Sequence, residues 1–155
     1  MRPEERATAR RQLDKRLFLL KEEKDFTSPP RGWLKAIREA LGMTTSQLGK
    51  RLGVTQSRVV AIEQAEARGA ITLNSLEKAA QAMDCRLVYA IVPREPLEKI
   101  VEERAQQKAK KSMIMTSHTM ALEAQELEED DKNELLKNLT RKLIEKSGSS
   151  LWEDE

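Results

Sequence analysis

Residues 43–64 read MTTSQLGKRLGVTQSRVVAIEQ, and their spacing decides the fold. Leu48 and Leu52 recur at one helical turn, and Val59 and Ile62 recur similarly in the second run. Thr44 and Thr55 each stand directly before such a run, where a hydroxyl satisfies a backbone N–H of the first turn. Gly53 ends the first run, where the turn needs a positive φ. Gly49 sits where a side chain would collide with the following helix. With Val54, the four apolar residues supply the contacts that fix a close crossing of two short helices around a glycine turn.

Such a pair is a helix-turn-helix, whose second helix enters the DNA major groove N-terminus first. Gln56, Ser57, Arg58, Val60 and Ala61 are left facing outward on that second helix. Glutamine pairs with adenine, arginine with guanine, and small apolar groups touch a thymine methyl. Thr45, opening the first helix, is placed to offer its N–H or hydroxyl to a phosphate, and Lys50 and Arg51 lie nearby for the same purpose. The candidate DNA-facing set is therefore Thr45, Lys50, Arg51, Thr55, Gln56, Ser57, Arg58 and Ala61. The alternative for each polar member is an ordinary solvated surface.

Upstream, Trp33, Leu34, Ile37 and Leu41 form an apolar helical face that Gly42 closes. Downstream, Thr72 caps a helix with Leu73, Leu76, Ala79, Ala80 and Met83 inward. The run RLVYAIV at 86–92 is β-branched and apolar, a strand signal. A lone strand leaves backbone groups unpaired, and antiparallel pairing of Leu87, Val88, Tyr89, Ala90 and Ile91 with the same segment of a second copy would satisfy them. The alternative is an extended tail lying on the core. Ala9, Leu13, Leu17 and Leu20 predict a helix over 5–24, too thin to bury itself, before Ser28-Pro29-Pro30 breaks the chain. After Pro93 and Pro96 the pattern is helical over 97–129, and Leu135, Leu136, Leu139, Leu143 and Ile144 predict a last amphipathic helix. The stretch SGSS at 147–150 and the acidic end are expected to fray. Three segments result: an N-terminal docking or dimer helix over 1–28, a DNA-binding domain over 31–92, and a helical extension with an acidic tail over 94–155.

Composition agrees with an all-α chain. Of 155 residues, 35% are charged and 3% aromatic, which argues against a sandwich or barrel. The net charge of +2 hides an asymmetry: residues 31–92 hold 9 Lys/Arg against 5 acids, and residues 123–155 hold 5 against 11. A weakly basic body permits contact with polyanions. Apolar runs are too short to span a bilayer, and the N-terminus lacks the apolar stretch of a signal peptide. With Cys85 as the sole cysteine, neither a disulfide framework nor a multi-cysteine zinc site is expected. The expected setting is cytoplasmic, with no membrane, metal or cofactor. No phosphate loop, dinucleotide fingerprint or nucleophile triad is present, so no enzyme is read here.

The run from Thr44 to Glu63 resembles the phage-repressor (Cro/repressor-type) helix-turn-helix family, notably at Gln47-Leu48, Leu52-Gly53-Val54, Thr55-Gln56-Ser57 and Ile62-Glu63. The resemblance implies a compact bundle of four to five helices that binds palindromic operators as a dimer. Gly49 departs from it, since alanine is more frequent there. A wider likeness covers about residues 5–128 and includes TSHTMALEAQ at 116–125: it resembles the family called mobile mystery protein A. Members of that family are similar to antitoxins encoded beside a Fic/Doc-type protein, and Fic enzymes transfer AMP from ATP onto protein hydroxyls. The resemblance thus implies a repressor that doubles as the antitoxin of a Fic-type toxin, with a plain dimeric regulator as the alternative. The segment at 86–92 resembles the dimerising strand of HipB-type antitoxins. Fic inhibitors carry Ser/Thr-x-x-x-Glu-Gly/Asn on a helix; Thr119 and Glu123 fit, and Ala124 departs from the last position. There Glu123 would hold the arginine that binds the ATP γ-phosphate. The alternative is a capped or solvated helix face.

Other candidates have bland readings. His118 stands without an acid–nucleophile constellation and reads as a surface residue. Cys85 reads as core. Met113, Met115 and Met120 read equally as an adaptable partner surface or as packing on the chain's own helices. The run from Glu126 to Asp131 reads as a solvated face.

Overall fold

Hydroxyl caps and glycine stops cut the middle of the chain into short helices. The computed structural model describes residues 1–21, 27–122, 128–146 and 148–153, with no side chain described at 117 or 119–122. Seven α-helices are described: α1 (Pro3–Leu17), α2 (Trp33–Ala40), α3 (Thr45–Leu52), α4 (Gln56–Ala67), α5 (Leu73–Gln81), α6 (Leu97–Leu122) and α7 (Glu129–Lys146). They divide between two compact units, Glu23–Ile91 and Met1–Glu22 with Val92–Glu155.

In the unit Glu23–Ile91, the Thr44 hydroxyl accepts from Gln47 N at 3.1 Å, and the Gln47 side chain accepts from Thr44 N at 2.8 Å. This reciprocal box starts α3. Thr55 and Thr72 cap α4 and α5 through Arg58 N at 3.2 Å and Ser75 N at 3.1 Å. Gly53 ends α3 at φ 71°, the left-handed conformation that glycine adopts without strain. Gly32, before α2, has no side chain to offer as a cap. Glu66 of α4 supplies one instead, accepting from Trp33 N at 2.7 Å and Leu34 N at 2.9 Å.

The core of this unit is Leu34, Leu48, Val59, Ala79 and Met83, with Ile37, Leu52, Ile62, Leu76 and Cys85 packed around it. Leu48 and Val59 are fully enclosed, so the two helices of the motif meet through their inward residues. A Cβ on Gly49 would stand 2.8 Å from the Val54 carbonyl oxygen, so backbone fills the space a side chain would need. The buried Arg38 of α2 grips Glu63 of α4, Nε to Oε1 at 2.5 Å and Nη2 to Oε2 at 3.2 Å. Its third nitrogen donates to the Met43 carbonyl at 2.9 Å.

The unit Met1–Glu22 with Val92–Glu155 packs α1 and α7 against α6. Ala105 and Ala109, one turn apart on α6, are fully enclosed, and their small side chains let neighbouring backbone approach. Asp14 of α1 caps α6, accepting from Leu97 N at 2.7 Å and Glu98 N at 3.3 Å, while Arg10 pairs with Glu98 at 2.5 Å.

Several expectations are corrected. The described residues contain no strand: positions 85–93 carry no regular structure, and Val88, Tyr89 and Ile91 are exposed. The β-branched composition is there, but no other described segment of the chain offers a ladder partner, and composition alone makes no strand. The described helices number seven, not the four to five of the expected bundle, and four of them lie in the unit Glu23–Ile91. The first helix stops at Leu17 and tightens into a 3₁₀ turn over Phe18–Leu20. The expected fraying is overturned at 148–150, where Gly148–Trp152 form a 3₁₀ turn with Leu151 buried, while position 147 lies outside the described residues. Lys108 and Arg104 donate to the Ser150 and Leu151 carbonyls, at 2.5 Å and 3.0 Å, which satisfies backbone that breaker residues leave open.

Removing one partner of the Arg38–Glu63 pair strands a buried charge. Arg38→Met should therefore cost about 3–5 kcal/mol in urea unfolding, and Arg38→Met with Glu63→Leu should recover most of that loss. An Arg38→Met protein as stable as the wild type would show that the pair does not organise the unit.

Candidate nucleic-acid interface

The rotation of α4 about its axis decides which of its residues meet solvent. Val59 and Glu63, four apart, are buried, and Ile62 is half-buried. At 100° per residue the opposite face carries Ser57, Val60, Ala61 and Gln64, and all four are exposed, as are Gln56 in the first turn and Arg58. Together these exposed residues offer two amides, a hydroxyl, a guanidinium and small apolar groups. Those are the groups that match base edges and thymine methyls in a major groove.

The remaining expected residues divide by what already holds them. Thr55 is exposed, and its hydroxyl oxygen is engaged by Arg58 N, which leaves the hydroxyl hydrogen to donate. Thr45 is half-buried in the first turn of α3, and Lys50 is exposed in the last. Neither Lys50 nor Arg58 has an ion-pair partner among the described residues. Arg51 is engaged within the unit: Nη1 donates to the Ala82 carbonyl at 3.0 Å and lies 3.8 Å from Asp84. It ties α3 to the end of α5, a role its spacing alone does not reveal.

Gln64 was missed by sequence reasoning. Its signal was available, since it stands seven residues after Ser57 and three after Ala61 on the exposed face. Arg31 and Lys35 were missed too. They line a cleft of about 330 Å³ with Thr45, Val60 and Gln64, in which α2, α3 and α4 all take part. The carboxylates near the cleft are engaged: Glu63 with Arg38, and Glu66 with two backbone N–H groups. The Glu63 hydrogen bond raises the Arg38 pKa against the opposing effect of burial, so this guanidinium stays charged.

In the other unit, Lys110, Met113, Ile114, His118, Glu129 and Lys132 line an open groove between α6 and α7. Glu123 lies outside the described residues, and Thr119 is described only as part of α6. No group of metal-ligating side chains exists among the described residues. None of their helices is long and apolar enough to cross a membrane.

Residues 34–89 match the family model described as Helix-turn-helix, a segment that runs from α2 through the end of α5 and beyond. No curated protein and no solved structure matches the chain. The matched segment is a DNA-binding helix-turn-helix of the kind found in transcription regulators, a regulatory rather than typically catalytic domain.

If the outward face of α4 reads bases, Arg58→Ala should cost about 1–3 kcal/mol of affinity for a duplex selected from a random library, and relax preference at one position. Unchanged affinity and an unchanged selected sequence would remove Arg58 from the reading set.

Proposed function

We propose that the chain is a sequence-specific repressor that binds a two-fold operator in double-stranded DNA as a homodimer. The observation that carries this reading is the exposed face of α4, with Gln56, Ser57, Arg58 and Ala61 outward while Val59 and Glu63 anchor the helix inward. Thr45 and Lys50 are the accompanying phosphate contacts, made from the two ends of α3, and Thr55 adds a hydroxyl at the start of α4.

The dimer is supported by the exposure of Val88, Tyr89 and Ile91, at 66%, 69% and 86%. These side chains flank backbone that lacks a ladder in the single chain. In the proposal, Leu87, Val88, Tyr89, Ala90 and Ile91 pair antiparallel with the same residues of a second copy, which covers both the apolar groups and the backbone.

The resemblance to mobile mystery protein A supports a finer reading. In it the repressor is also the antitoxin of a Fic-type AMP-transferring toxin and represses its own operon. The toxin would be engaged by residues 94–128 of the helical extension, with Thr119 and Glu123 as the candidate inhibitory residues. The plain dimeric regulator is the alternative, and it shares the DNA-binding face.

Two measurements test the proposal. Gel shift and footprinting on the chain's own promoter should show a protected site with two-fold symmetry, and sedimentation should give a dimer that Val88→Pro converts to monomer, since proline removes a ladder donor. A persistent dimer in Val88→Pro refutes the pairing segment, and absence of any shift refutes the repressor. Affinity purification from the native host should recover a Fic-type protein in stoichiometric amount, whose AMP transfer Glu123→Gly releases without loss of promoter binding. Recovery of the chain alone, still shifting its promoter, leaves the plain regulator.

A further inference from the structure

The cleft lined by Arg31, Lys35, Thr45, Val60 and Gln64 has a place in DNA binding that none of the residues shows alone. Gln64 lies on the outward face of α4 with Ser57 and Ala61, and it also lines this cleft. The cleft therefore opens beside the reading face. A helix with its side chains is about 10–12 Å across and fills a major groove about 12 Å wide. Groups that stand to the side of such a helix meet the sugar–phosphate backbone bordering the groove rather than the bases.

The chemistry of the cleft matches that location. Arg31, Lys35 and Arg38 are its cations, and Glu63 is its one carboxylate. Arg38 and Glu63 neutralise each other in the bidentate pair, which leaves Arg31 and Lys35 in excess. Arg31 is exposed and has no ion-pair partner among the described residues. Lys35 has a single long contact, 3.9 Å to the exposed Glu39. Thr45 and Gln64 add a hydroxyl and an amide donor, and the Val60 and Ala67 side chains form an apolar wall.

We infer that Arg31 and Lys35, with Gln64 and Thr45, form a phosphate clamp that holds the DNA strand bordering the groove into which α4 inserts. The inference rests on the DNA-binding reading of α4. Its specific content is that α2 and the turn before it, which lie outside the two-helix motif, carry backbone contacts through Lys35 and Arg31 that set how α4 seats in the groove. Such contacts neutralise phosphates and release counterions, so they appear in the salt dependence of binding and not in sequence preference.

The test uses the full-length chain, a duplex selected from a random library by the wild type, and an unrelated duplex of equal length. Arg31→Gln with Lys35→Gln should lower the slope of log K against log salt by about 1 for each lost contact, weaken both duplexes alike, and leave the selected sequence unchanged. Arg58→Ala should do the reverse, weakening chiefly the selected duplex. A thermal melt of the double variant that matches the wild type excludes misfolding as the cause, and Arg31→Lys should restore most of the slope. An unchanged slope in the double variant overturns the clamp while leaving the DNA-binding reading intact. Altered sequence preference in the double variant also overturns it, because the pair would then be reading bases. Failure of the wild type to bind any duplex overturns both.

Discussion

The Arg38–Glu63 pair is the constraint on which the helix-turn-helix unit depends. Its two parallel hydrogen bonds join the last turn of α2 to the middle of α4, and its third donor holds the turn between α2 and α3 at Met43. Side-chain exposures of 9% and 7% mean that both groups have left water. That transfer is costly for a carboxylate and a guanidinium, and it is offset only because each finds a charged partner in good geometry. Planar, bidentate contact is directional in a way that apolar packing is not. With Glu63 pinned and Val59 enclosed four residues earlier, α4 has one rotation about its axis. That rotation decides that Ser57, Ala61 and Gln64 face outward.

The helices arranged around this pair are short, 8 to 12 residues each. Isolated helices of that length are marginal in water, so their ends matter as much as their interiors. Thr44, Thr55 and Thr72 close three of the four N-termini from within the local chain. The fourth is closed from a distance by Glu66. Glu63 and Glu66, three residues apart on α4, therefore hold opposite ends of α2: one grips its last turn and the other caps its first. Gly32 makes this possible, because a Cβ there would stand 2.7 Å from the Glu66 carboxylate. Placing α2 this firmly is also what brings Arg31 and Lys35 alongside α4.

The unit formed by Met1–Glu22 with Val92–Glu155 is held by a different balance. Its enclosed residues are chiefly Ala105, Ala109 and Leu151, and charged side chains bridge to backbone in place of a thick apolar core. Long helices rich in charge can be built this way because propensity and end caps carry part of the load. Ile114 and Met115 are left exposed on α6, on the helical extension that the antitoxin reading assigns to a protein partner.

Local rules were enough for much of this molecule. Threonine caps, the Gly53 stop, the inward set of Leu48, Val59 and Ile62, and the outward set around Arg58 are legible because each follows from chain neighbours within about two helical turns. What failed locally failed for one physical reason. Residues 86–92 have the composition of a strand, but a strand needs a second segment, and composition does not report whether one is present. The stretch at 148–150 has the composition of a loose end, but Lys108 and Arg104 reach the carbonyls of Ser150 and the adjoining Leu151 from some forty residues away. Arg51 shows the same limit of local rules, since the bond from one of its nitrogens to the Ala82 carbonyl spans thirty-one positions and no nearby pattern announces it. The sequence by itself determined the helices of the unit Glu23–Ile91, their ends and the two faces of α4, because hydrogen bonds along a helix and side-chain period are short-range. Only tertiary packing decided the partners of Arg38, Glu66 and Arg51 and the juxtaposition of Arg31, Lys35 and Gln64, because those depend on bringing residues twenty-five or more positions apart into one place.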